Sequence, residues 1–371
     1  MSFWSTAIAR FYPVRASFHR QLIRLTRDPT RTWVRSPIPE RTLLRLQQLP
    51  SLLADGRTRR ALLRYFLTDV GVGLVSRALY HGLRLLPFDT SSAIGGGLGR
   101  IVGRWRGINQ SDARARETFV RLRPESSAKA NVDVAMNRMC VNIGRVFAEY
   151  TILDLLWAAG RITVSGDEHL AACRDRDRPI IVFGVHLSSW EVIGAALLGL
   201  GYPVCTLYKP TRNRFQDRIA NAVRRRGGVE LLPPGPHGVR QAYRALTSRR
   251  CLFLTWVDEA INGTVRAPAF GRPIYCHGNL AATVRLARAT GARPISAFVE
   301  RRRGARFHTT FGPPIELIQA EDEKTALLAN LQRLDELISS IILPRLEYWR
   351  MLPAFRFDRF PIVFVATSLA W

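Results

Sequence analysis

Residues 179–191 read Pro-Ile-Ile-Val-Phe-Gly-Val-His-Leu-Ser-Ser-Trp-Glu. The apolar, β-branched run over 179–185 predicts a strand buried on both faces. It stops at a single histidine, His186. Ser188 and Ser189 are residue types that cap helices, and Glu191 falls in the first turn of the helix expected over 189–200. A negative charge there favours the positive helix end. A strand that ends in an imidazole and turns into a helix carrying an acid can assemble a general base with its partner. Glu191 therefore has two readings. It orients the imidazole and stabilises its charged form, as the acid of a Ser-His-Asp triad does, or it only stabilises the helix.

Working outward, the residues at 162–166, 204–207, 229–232, 252–256, 294–299 and 307–311 read as strands. Helical periods fall at 189–200, 215–226, 238–248, 278–290 and 322–342. Further upstream, 110–122 and 127–159 are helical, closed by Trp157-Ala-Ala-Gly160. Strands alternating with helices predict an α/β fold with a mixed, mainly parallel sheet flanked by helices.

The chain has 371 residues, 47% of them hydrophobic, enough for one large catalytic domain with an appendage. Its formal net charge is +26, nearly all from arginine, since Lys129, Lys209 and Lys324 are the only lysines. Such a protein is drawn to anionic surfaces, whether phosphates, nucleic acid, acidic headgroups or acidic carrier proteins. The cysteines, Cys140, Cys173, Cys205, Cys251 and Cys276, form no C-x-x-C pair and have no zinc spacing. They read as reduced thiols, and no metal or cofactor is expected.

The domain reading has three parts. Residues 1–65 form a basic extension without the apolar run of a secretory signal; it reads as a membrane-surface arm or as an extension without a role. Residues 66–105 form an amphipathic, membrane-anchoring helical segment. Asp69, Arg77, His81 and Arg84 fall on one stripe of the helix over 66–86, and Leu67, Val70, Leu74, Ala78 and Leu85 lie away from it. A charge at mid-bilayer costs about 2.5–3.5 kcal/mol, which disfavours a simple spanning helix; it reads as a helix in the interface or a tilted anchor, against an ordinary surface helix packed on the core. Arg100, Arg104 and Arg106 add a basic flank. Gly95-Gly96-Gly97-Leu98-Gly99 does not complete G-x-G-x-x-G, because Val102 stands at the third glycine position; it reads as helix packing or a turn. Residues 106–371 form the catalytic domain. The apolar tail over 360–371 is too short to span a bilayer; it docks in the core or dips into the interface.

No G-x-S-x-G occurs, and no cysteine lies beside His186. That favours direct general-base attack by a substrate hydroxyl over a covalent enzyme intermediate. The spacing His186-x-x-x-x-Glu191 after an apolar strand resembles the H-x4-D/E motif of glycerolipid and lysophospholipid acyltransferases. The surrounding order resembles the branch containing the late lauroyl/myristoyl acyltransferases of bacterial lipid A biosynthesis. Matching stretches are SGDEHL at 165–170, LYKPTRN at 207–213, GGVELLP at 227–233, VDE at 257–259, PAFGRPI at 268–274 and LARATGARPISAF at 286–298. The likeness covers roughly 65–355. Leu187-Ser188-Ser189 stands where the family commonly has Gly-Asn before Trp-Glu, and Glu259 stands where Gln or His often follows the aspartate.

The resemblance implies an O-acyltransferase at the cytoplasmic face of a bacterial inner membrane, peripheral or singly anchored. His186 would be the general base, with Glu191 its partner. Arg224, Asp258, Lys209 and Arg212 would bind substrate, and Arg224 would help backbone N–H groups hold the oxyanion. The donor would be acyl carrier protein or acyl-CoA, and the acceptor an anionic lipid A precursor. The basic run Arg212, Arg214, Arg218, Arg224, Arg225 and Arg226 suits either substrate or an acidic carrier. Three other readings stay open: another acceptor such as a phosphatidylinositol mannoside, a pseudoenzyme that binds lipid, and a nucleic-acid-binding protein. The last has the charge but no helix-turn-helix, zinc-finger or RNP-like signature, so no nucleic-acid partner is expected.

Overall fold

The computed structural model describes Leu63 and residues 67–106, 110–211, 213–261 and 263–357. The rest of the basic extension, Arg212 and the apolar tail lie outside the described residues.

Four helices lead into the sheet: α1 (Asp69–Arg84), α2 (Phe88–Arg106), α3 (Gln110–Leu122) and α4 (Lys129–Glu149). Then come β1 (Ile162–Ser165), α5 (Asp167–Asp175), β2 (Ile180–Gly184), α6 (Val192–Gly199), β3 (Val204–Leu207), α7 (Arg214–Arg226), β4 (Glu230–Leu232) and α8 (Pro236–Thr247). The chain continues through β5 (Leu252–Trp256), the short β6 (Ala260–Ile261) and β7 (Thr264–Val265), α9 (Gly278–Thr290), β8 (Arg293–Arg301), β9 (Phe307–Phe311) and α10 (Glu323–Ile342).

The main sheet has seven strands in the order β1-β9-β8-β2-β5-β3-β4. From β8 to β4 all pairs are parallel; β9 runs antiparallel to β8 and carries β1 parallel to itself. The expected mixed, mainly parallel α/β sheet is what forms. β2 occupies its centre with every residue buried. Its side chains alternate: Ile180 and Val182 enter the core with α6, while Phe183 enters the core with α9 and α10. Two elements were not foreseen. α5 follows Gly166, whose φ of +79° and closeness to the Phe311 carbonyl exclude a side chain. The β6–β7 hairpin has strands too short to show a period.

The glycine run lies inside α2 and packs on α4, the helix-packing reading of that run. A Cβ on Gly95 would sit 2.5 Å from the Gly144 carbonyl, and one on Gly99 would collide with the Cys140 carbonyl. The absence of side chains lets the two backbones approach closely.

α1 turns Gly73 and Tyr80 inward and packs on α7. Its Arg84 also points inward, donating to Asp154 and to the Thr151 carbonyl, each at 2.6 Å. The outer face carries Leu74, Val75 and Leu79 at 62%, 60% and 47% exposure. α2 adds exposed Ile94, Leu98, Ile101 and Val102. No described helix is long and apolar enough to cross a membrane.

Candidate active site

β2 and β5 lie side by side with Gly184 opposite Trp256. Two residues beyond each strand end stand His186 and Asp258, and the parallel register brings them level. The His186 Nδ1 lies 2.7 Å from the Asp258 Oδ1, and the His186 backbone N–H donates to Oδ2 at 2.8 Å. The Trp349 indole N–H donates to the same Oδ2 at 2.8 Å. Asp258 is fully buried. An ionised carboxylate only accepts, so Nδ1 carries the imidazole proton and Nε2 is left basic. The ring is held near Trp190 and Trp256, with centroids 5.1 and 5.3 Å away.

Glu191 does not hold His186, which corrects the expected pairing. Its carboxylate takes Arg224 from α7, with Nη2 to Oε1 at 2.5 Å and Nε to Oε2 at 3.3 Å. The chain turns into α6 after His186, and that turn carries Glu191 toward α7. Burial works against the Arg224 charge, but Glu191 outweighs it and holds the guanidinium above its ordinary value. Arg224 is therefore a compensated cation on the cavity wall. The helix-stabilising reading of Glu191 also changes: it occupies the position before α6 and makes no side-chain cap.

Nor do the serines cap α6 with their side chains. Ser188 is buried at φ +50°, and its hydroxyl has no hydrogen-bond partner. Ser189 donates to Glu149 at 2.5 Å. Glu149, on α4, is 2% exposed and also binds Arg301 of β8 and, at 2.6 Å, the Ser92 hydroxyl. This polar brace holds the turn from behind. It was not legible beforehand, because its members come from four distant stretches.

His186 faces a cavity of about 800 Å³, within the usual range for ligand sites. Its apolar lining includes Gly194 and Leu198 of α6, Val223 of α7, Gly227 just after it, Val229, and Leu254 of β5. Its polar lining includes Asp154, Glu191, Arg224, Glu259, Asn279 and Lys209. Glu259 accepts the Asn279 backbone N–H at 2.7 Å, and the Asn279 side chain donates to the Trp256 carbonyl at 2.8 Å. Of the expected substrate-binding residues, Lys209 and Arg224 line the cavity, Asp258 sits behind the imidazole, and Arg212 is outside the described residues. No group of His, Cys, Asp and Glu among the described residues could hold a metal ion.

A family profile for bacterial lipid A biosynthesis acyltransferases matches residues 54–356. The chain belongs to that family. This lipid A acyltransferase family member is 23% identical over 275 residues to the lipid A biosynthesis palmitoleoyltransferase of Escherichia coli, covering 72% of this chain and 85% of that protein. It is 22% identical over 278 residues to the lipid A biosynthesis acyltransferase of Haemophilus influenzae, covering 74% and 85%. Among solved structures, the 1-acyl-sn-glycerophosphate acyltransferase of Thermotoga maritima aligns at 11% identity with a TM-score of 0.31, covering 61% of this chain and 94% of that one. The family member is an acyltransferase.

Proposed function

We propose that this acyltransferase moves a fatty acyl chain from acyl carrier protein or acyl-CoA to a hydroxyl of an anionic lipid A precursor, with His186 as base and Asp258 as its partner. The observation that carries the reading is the imidazole: Nδ1 is fixed on a buried carboxylate, and the ring borders a cavity lined by both apolar and polar side chains.

The Nε2 of His186 takes the proton of the acceptor hydroxyl as its oxygen attacks the thioester carbonyl. The tetrahedral oxyanion collapses, the C–S bond breaks, and the imidazolium returns the proton to the leaving thiolate. Ester and free thiol are the products. Asp258 holds the tautomer and offsets the imidazolium charge. The acyl chain lies against the apolar lining, and the acceptor's anionic groups approach Lys209. The exposed apolar faces of α1 and α2 support a peripheral seat on the membrane where such an acceptor resides. Exposed Arg218 and Arg225 on α7 suit an acidic carrier protein.

The test measures lipid A by mass spectrometry in cells lacking the protein, complemented with wild type or with His186→Ala. Loss of one acyl chain in the null, restored only by wild type, is the expected result. General-base assistance is worth about 10²–10⁴ in rate, so His186→Ala should complement hardly at all. Full complementation by His186→Ala overturns the base assignment. A free hydroxyl appearing on another lipid instead moves the acceptor to that lipid.

A further inference from the structure

We propose that Trp349 is a positioning residue for catalysis, acting through Asp258 on the proton-accepting power of His186; this rests on the reading of His186 as base. Trp349 lies outside the cavity lining and is completely buried, yet its one polar atom is spent on the Asp258 carboxylate. The segment around it holds the rest of the turn. The Arg350 N–H donates to the His186 carbonyl at 2.9 Å, and the Ser188 N–H donates to the Tyr348 carbonyl at 3.1 Å. Leu187 and Trp349 form an antiparallel bridge. A stretch far from His186 and Asp258 in sequence thus clamps both.

The indole N–H has a specific chemical effect. Asp258 Oδ1 serves the imidazole, and Oδ2 takes the His186 backbone N–H and the indole. Hydrogen bonds to a carboxylate stabilise its charge and lower its pull on a shared proton. The indole therefore keeps the proton on Nδ1 and moderates the attraction that the carboxylate exerts on the imidazolium. Without it the carboxylate pulls harder, the imidazole stays protonated to higher pH, and its orientation loosens. Aromatic edges from Phe270 and Phe355, with centroids 5.8 and 5.9 Å from the indole, fix the ring. The other charged groups on the cavity wall with the imidazole are the Glu191–Arg224 pair, Asp154, Glu259 and Lys209. None of them is changed by substituting Trp349.

The experiment compares Trp349→Phe with Phe355→Leu in the full-length enzyme, in detergent, with an acyl-thioester donor. Phe355→Leu perturbs the same packing without touching the carboxylate. In Trp349→Phe, kcat is expected to fall about tenfold, the rate equivalent of one hydrogen bond to a charged group. KM for the donor stays as in wild type, and the acidic limb of the kcat/KM profile moves to higher pH. Phe355→Leu is expected to lower the melting temperature and leave that limb in place. If both variants lose stability alone, with a wild-type pH limb and kcat per folded molecule, Trp349 is only structural and the proposal is overturned. Should Trp349→Phe fail to fold, benzothienylalanine at 349 keeps the shape and lacks the N–H. Wild-type kcat and pH profile in that protein also overturn the proposal. Wild-type activity in His186→Ala removes the underlying reading, an outcome separate from the behaviour of position 349.

Discussion

Glu191 and Arg224 close a two-pronged ion pair on the cavity wall, with Oε1 to Nη2 at 2.5 Å and Oε2 to Nε at 3.3 Å. Both oxygens of Glu191 are thereby committed away from His186, whose partner is Asp258. Asp258→Asn and Glu191→Gln should separate these roles. Asp258→Asn is expected to lower kcat about 10³–10⁴-fold with the fold intact, because an amide stabilises the wrong tautomer. Glu191→Gln is expected to cost about 1–3 kcal/mol of stability, by weakening a partly buried charged pair, with a smaller loss of kcat. Kinetics and thermal melting of both proteins check this; equal kcat losses would contradict it.

The brace behind the turn predicts a different signature. Arg301 and Glu149 are nearly buried, at 10% and 2% side-chain exposure. Removing one partner leaves a buried charge alone, so Arg301→Met should destabilise by about 3–5 kcal/mol. The double variant Arg301→Met/Glu149→Leu should recover much of that loss, because no orphan charge remains. Denaturant unfolding of the two singles and the double gives the coupling directly; strict additivity would argue against a coupled pair.

The cavity can be narrowed at Gly194. A Cβ there would lie 3.7 Å from Leu254 and 3.9 Å from Val229, ordinary contact distances, so a larger side chain can grow into the cavity. Gly194→Leu is expected to shift the enzyme toward shorter acyl donors. At about 0.8 kcal/mol per methylene, excluding two or three of them lowers kcat/KM for the longest good donor about 10–100-fold. Competition among donors of graded length reads this, and an unchanged length profile would place the chain elsewhere.

Asp335 supplies a pH prediction. Burial raises its pKa from 3.8 to about 6, against a hydrogen bond from the Ala269 N–H and the charge of Arg272, both of which lower it. The folded state therefore binds this proton more tightly than the unfolded chain. Its contribution is fully present below about pH 4 and is lost as pH rises through about 6, a change on the order of 3 kcal/mol. Asp335→Asn cannot ionise. Its stability advantage over wild type should be small near pH 4, grow to pH 6–7 and then level off. Unfolding titrations across that range test the sign.

The outer face of α1 should bind lipid without supporting the fold. Leu74 and Val75 are 62% and 60% exposed. Leu74→Asp/Val75→Asp is expected to keep the wild-type melting temperature. It should bind anionic vesicles at least about tenfold less tightly, since burying one such side chain is worth about 1.5–3 kcal/mol. Vesicle flotation measures the difference.

Much of the sheet was readable beforehand. Buried β-branched runs such as 180–184 and 252–256 carry their own strand signal, and helices such as α7 and α10 carry a period long enough to see. α5 was missed because it is short, as were the two-residue strands of the hairpin. His186 was visible as an imidazole at a strand end, and Asp258 as an acid after another strand. Their pairing was not visible, and the nearer acid, Glu191, bonds Arg224 instead of the imidazole.

By itself the sequence determined the alternation of strands and helices, the histidine at the end of the central strand, the excess of arginine and an order of motifs specific enough to name a family. These are properties of neighbouring residues, written into composition and periodicity. Only the tertiary structure decided which acid serves His186. That choice depends on the parallel register that sets Gly184 against Trp256, on the turn that sends Glu191 to Arg224, and on a distant indole seated on the Asp258 carboxylate. Such pairings are fixed by the direction of side chains in space, which spacing along the chain does not encode.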